Sequence, residues 1–123
     1  MAAKGVGYKE HPLKQEEVRQ LFAQAVDAAA LRGKKVLCII PDSTRTCPLP
    51  FLFRTMCETA GAAASKLDFL IALGTHPPMS DEAINALLGL TPQERRGKYV
   101  FISLIPKAVG RKLRLAARKY QLC

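Results

Sequence analysis

The chain has 123 residues, 49% of them apolar, and a formal net charge of +9. That length holds one domain with a modest core, and that apolar content excludes a chain disordered throughout. No apolar run reaches the ~18 residues of a membrane span, and the first residues lack the apolar core of a secretory signal, so a soluble cytoplasmic protein is expected. Residues 1 to 94 carry ten basic and ten acidic side chains, whereas residues 95 to 123 carry nine basic ones and no acid. The charge excess belongs to that last segment and not to the domain.

After His11-Pro12, the apolar residues Val18, Leu21, Phe22, Ala25, Val26 and Ala29 recur at helical spacing, and Arg32-Gly33 supplies a stop. His11 reads as an exposed residue of the leading segment. The run Val36 to Ile40 is cut off by Pro41, which predicts a strand buried on both faces, as in a parallel sheet. Pro48 suits the first turn of a helix. Leu49, Leu52, Phe53, Met56, Cys57 and Ala60 form its core-facing stripe, and Gly61 is expected to end it. The positive end of that helix is expected to face whatever Asp42 to Arg45 bind, favouring an anionic group.

Leu67 to Leu73 predicts a second strand, closed by Gly74-Thr-His-Pro-Pro-Met79. Ser80 reads as an N-cap with Asp81 and Glu82 in the first turn, Ile84, Leu87 and Leu88 on the buried side, and Gly89 at the end. Thr91-Pro-Gln-Glu94 is a capping box that opens another short helix. Tyr99 to Ile105 predicts a third strand. Beyond Pro106, Val109, Leu113, Ala116, Ala117 and Tyr120 share one helical face, and Lys107, Arg111, Arg114 and Arg118 the other. The pattern is that of a basic amphipathic helix.

Alternation of this kind predicts an α/β fold, a three-layer Rossmann-like open parallel sheet with helices on both faces. The division expected is an α/β domain over residues 1–105 and a basic amphipathic tail over 106–123. Cys38, Cys47, Cys57 and Cys123 form neither a Cys-x-x-Cys pair nor a zinc spacing, and free thiols in a reducing compartment are expected.

Open α/β sheets bind ligands beyond the carboxyl ends of their strands. Asp42 and Arg45 follow the first strand and His76 follows the second, so all three are expected on one rim. Asp42 and His76 stand 34 positions apart, the span of one βαβ unit. The chain has no Gly-x-Gly-x-x-Gly fingerprint, no P-loop and no Gly-x-Ser-x-Gly elbow. What remains is a carboxylate, a guanidinium and an imidazole. Imidazole, with an ordinary pKa of ~6.5, exchanges protons at neutral pH. Arginine grips a carboxylate or phosphate through two parallel hydrogen bonds. Asp42 can accept from ribose hydroxyls or orient His76, and on residue types alone a structural role for His76 stays open.

Asp42-Ser-Thr-Arg45, followed 29 positions later by Gly74-Thr-His-Pro-Pro-Met79, resembles the N-terminal domain of the lactate racemase family over roughly residues 10 to 100. The resemblance implies an isomerase that depends on a nickel-pincer nucleotide and acts on small 2-hydroxy acids by hydride transfer. It implies that His76 is a general acid/base residue, and that Asp42 and Arg45 belong to the site. Arg45 is then expected to hold substrate carboxylate or cofactor phosphate, and Thr75, with the backbone around Gly74, to line the same pocket.

The sequence also departs from the family. Pro77 stands where many relatives carry a basic residue. The lysine that tethers the cofactor, the nickel-ligating histidine and a second acid/base histidine find no counterpart, and no histidine follows His76. No metal-ligand set is therefore expected. A truncated or frame-shifted product explains these departures together with the acid-free tail, and a genuine short paralogue is the alternative. The competing reading is a small binding module whose basic tail engages nucleic acid or anionic membrane. It lacks an RNA-binding motif, so no specific nucleic-acid partner is expected, and oligomeric state is left open.

Overall fold

The computed structural model describes residues 4–99, 103–105 and 121–122. Helices α1 (Gln15–Ala25) and α2 (Ala28–Leu31) precede strand β1 (Lys35–Pro41), helix α3 (Leu49–Ala63) and strand β2 (Lys66–Ala72). Helices α4 (Asp81–Leu88) and α5 (Pro92–Arg96) follow, then the short strands β3 (Ser103–Ile105) and β4 (Gln121–Leu122). Two long parallel strands, β1 and β2, form the centre of the sheet. The short ones flank them in parallel, giving the order β3-β2-β1-β4.

The register pairs Val36 with Leu67, Cys38 with Phe69 and Ile40 with Ile71. Successive strand residues point to opposite faces, so these six share one. On that face they meet Leu31 of α2, Leu49, Phe53 and Ala60 of α3, and Ile84 and Leu88 of α4. Phe53 is its hub, fully buried, with its ring centroid 4.9 Å from that of Phe69 and 5.2 Å from that of Tyr99.

The opposite face carries Leu37, Asp68 and Leu70, all buried, and Ile39, which is 44% exposed. The Lys66 ammonium lies 3.1 Å from Asp68 Oδ2 on this side. The described helices that enter the core all pack on the Phe53 side, and α1 rests on α3. The parallel α/β sheet is therefore as expected, whereas among the described residues the helices form one layer and not two. The expected basic helix beyond Pro106 and Cys123 lie outside the described residues, and of the expected 106–123 tail only Gln121–Leu122 is described.

Three boundaries differ from expectation for local reasons. The first helical stripe is broken at Val26-Asp27, because the Asp27 carboxylate accepts from the amides of Ala29 and Ala30 and caps a new turn. Helix α3 runs through Gly61 to Ala63. A Cβ at Gly61 would stand 3.3 Å from the Leu67 side chain, so this glycine serves close helix–strand packing and not termination. Tyr99 does not begin a strand. It ends a turn after α5, is buried, and accepts a hydrogen bond on its hydroxyl from Arg54 at 3.1 Å. The expected caps do hold: Ser80 accepts from Ala83 N–H, and Thr91 and Glu94 exchange bonds across the first turn of α5.

Cys38 is buried, and Cys47 and Cys57 are half-buried free thiols. Burial pushes the Cys57 thiol up to about 12, so it is not a thiolate nucleophile at neutral pH. Among the described residues no helix is long and apolar enough to cross a membrane.

Candidate active site at the carboxyl rim

Pairing of Pro41 with Ala72 brings the ends of β1 and β2 level, so the next residues of both strands leave the sheet side by side. After β1 the chain turns over Asp42 to Arg45, with the Arg45 amide donating to the Asp42 carbonyl at 3.4 Å. After β2 it turns over Leu73 to His76, closed by the His76 amide on the Leu73 carbonyl at 2.9 Å. Gly74 sits at φ +59° inside this second turn, a left-handed conformation that other residues adopt only with strain. The two turns wall an open cleft of about 610 Å3 that is lined by Asp42, Thr44, Arg45, Thr75 and His76 above a floor of Ile39, Ile40 and Leu73.

Inside the cleft the imidazole and the carboxylate meet. His76 Nδ1 lies 2.5 Å from Asp42 Oδ2. The other oxygen, Oδ1, accepts from the Thr44 hydroxyl at 2.5 Å and from the Thr44 amide at 3.1 Å. The Asp42 side chain is 7% exposed and that of His76 is 51% exposed. The pair therefore has a buried anchor and an accessible ring. With Nδ1 turned to the carboxylate, Nε2 is the nitrogen left for other chemistry. Arg45 is exposed, and its guanidinium meets no carboxylate among the described residues. Thr75 is likewise exposed on the wall.

All four sequence-expected residues, Asp42, Arg45, Thr75 and His76, thus line one cleft. Two things differ from the sequence reading. The first turn of α3 is not part of the cleft walls, and the Leu49 amide is already bonded to the Cys47 carbonyl at 2.7 Å. Thr44 was read only as part of the motif, yet it carries two of the three hydrogen bonds on Asp42. The signal was present, since an Asp two positions before a Thr is the spacing at which a carboxylate reaches the i+2 amide.

The Thr44 hydroxyl, then the His76 ring and the Thr44 amide, draw the Asp42 carboxyl from its ordinary 3.8 down to about 2. A carboxyl whose pKa is lower in the folded state stabilises the fold above its unfolded pKa and loses that contribution as pH falls through the folded one. Wild-type stability is thus expected to drop between about pH 4 and pH 2, and Asp42→Asn should remove this component. Denaturant melts of both proteins across that range are the check. Equal acid dependence would mean that the three hydrogen bonds do not hold the carboxylate in solution.

Among the described residues no group of three His, Cys, Asp or Glu side chains is placed to hold a metal ion. The donor set of the cleft is suited to an anion and to proton transfer.

A crystal structure of a protein from Thermotoga maritima matches with a TM-score of 0.54 and 27% identity, over 79% of this chain. The chain spans only 22% of the length of that protein. No curated protein matches the chain. The lactate racemase N-terminal domain matches residues 6–98, a stretch that contains both strands, both turns and every residue of the cleft. The chain belongs to the lactate racemase N-terminal domain family.

Proposed function

We propose that this chain supplies the acid/base half of a lactate-racemase-type site, with His76 as the residue that exchanges the proton of a 2-hydroxy acid. The observation that carries the reading is the 2.5 Å contact between His76 Nδ1 and Asp42 Oδ2 at the carboxyl rim. With Nδ1–H donated to Asp42, Nε2 presents a lone pair to the cleft and can take the substrate hydroxyl proton. Asp42 then faces the imidazolium that results and favours it. Of the two roles open to Asp42 in the sequence, orienting His76 is the one supported, because both its oxygens are already engaged.

Arg45 is placed to clamp an anionic group, the carboxylate of the substrate or the phosphate of the nucleotide, and Thr75 to line the same space. A bound nickel-pincer nucleotide would supply the hydride-transfer chemistry, which no side chain of the cleft provides. Arg45 would meet its anionic end, and among the described residues no group of three His, Cys, Asp or Glu side chains is placed to hold its nickel. On this reading residues 1–105 are the racemase-type domain and 106–123 a basic tail. The buried Leu37 and Leu70 on the face opposite Phe53 support a second covering layer, the three-layer arrangement.

The test is a graft. Residues 6–98 replace the corresponding N-terminal stretch of an active lactate racemase, and interconversion of D- and L-lactate is followed. The graft is expected to racemise lactate, and the 123-residue chain given the cofactor is not. A folded, cofactor-loaded graft with no activity on lactate or other 2-hydroxy acids sinks the substrate assignment.

A further inference from the structure

We infer that Thr44 is a positioning residue for the His76–Asp42 pair, fixing the carboxylate in the orientation that turns Oδ2 toward the imidazole. Its catalytic meaning rests on the reading of His76 given above. A carboxylate turns easily about its last torsion, which has broad and shallow minima. One donor on one oxygen leaves that rotation soft. Here Oδ1 receives two donors from one residue, the Thr44 amide at 3.1 Å and the Thr44 hydroxyl at 2.5 Å, which together set the plane of the group. Oδ2 is then left facing Nδ1 of His76. The restraint is local, two positions along the chain, so it survives movement of the His76 turn.

The chemical consequence concerns the tautomer. The proton of a neutral imidazole sits on whichever nitrogen has the better acceptor. A carboxylate held toward Nδ1 keeps the proton there and leaves Nε2 as a base. If the carboxylate swings away, the proton is free to occupy Nε2, and the base facing the cleft is lost. Thr44 would thereby act on catalysis without touching substrate. Its hydroxyl is required for this, whereas its methyl group is not.

The experiment is nitrogen NMR of the full chain, labelled on its imidazoles, well above the ordinary imidazole pKa of ~6.5. There are two histidines, so His76→Gln assigns the signals. In the wild type, Nδ1 of His76 is expected to give the protonated-nitrogen shift and Nε2 the bare-nitrogen shift. Thr44→Ser should preserve that split. Thr44→Val and Thr44→Ala should lose it and move both nitrogens toward the tautomer-averaged values of a free imidazole. Asp42→Asn should do the same, with no further change when combined with Thr44→Val. The two hydroxyl-free variants are read in parallel, so a folding defect in one does not remove the test. A wild-type split that persists in a folded Thr44→Val or Thr44→Ala protein overturns the inference. An inactive graft would leave these spectra unchanged, and spectra insensitive to Thr44 would leave the role of His76 standing.

Discussion

Replacing His76 by alanine in the active graft is expected to slow lactate interconversion by roughly 10²- to 10⁴-fold, the range a positioned proton-transfer group contributes. Among the described residues of the cleft, imidazole is the only side chain whose ordinary pKa lies near neutral pH, and the Asp42 carboxyl is drawn down to about 2. The loss should fall on kcat, because the His76 ring contributes no charge clamp for the substrate. His76→Gln should behave alike, since it restores size and hydrogen bonding but not basicity. Steady-state rates with each enantiomer, with cofactor loading measured separately, are the check. A loss below about tenfold with full loading would place the proton transfer elsewhere.

The second large effect is structural. Phe53→Ala should cost about 3–5 kcal/mol, most of the stability of a small domain. Phe53 is fully buried and packs tilted against Phe69 of β2 and edge-on against Tyr99, so truncation opens a cavity between α3, the sheet and the α5 turn at once. Collapse into that space is opposed by the Arg54 guanidinium, which bonds the Tyr99 hydroxyl at 3.1 Å and the Gly89 carbonyl at 2.7 Å and holds those walls apart. Urea unfolding should show the midpoint falling with little change in slope. A destabilisation under 1 kcal/mol would show that the three rings are not the centre of the core.

How much of this was legible in the sequence depended on whether a local rule had a long-range competitor. Pro41 and Gly74 end apolar runs for reasons of their own backbones, and both strand ends, with the rim they define, could be read directly. The caps at Ser80 and Thr91 are equally local. Gly61 was misleading because packing against Leu67 outweighs its weak helix propensity. Tyr99 carries a strand-like preference that yields to the ring contacts with Phe53. The break at Asp27 was hidden by apolar periodicity that continues across it. The choice between two roles for Asp42 needed the register of β1 on β2, which no single strand encodes.

Every residue of the acid/base pair and its support lies within one strand–helix–strand crossover, from Asp42 to His76. The entropy of closing a chain loop grows only with the logarithm of its length, so a crossover of this span costs little more to close than a much shorter loop. A nascent chain can therefore assemble the pair as soon as β2 docks on β1, while later residues are still being added. The pair and the folding unit then stand or fall together. A one-residue slip of β2 along β1 would turn Phe69 away from Phe53 and carry His76 out of reach of Asp42 in the same step. The chain has no way to complete the crossover in the wrong register and keep either.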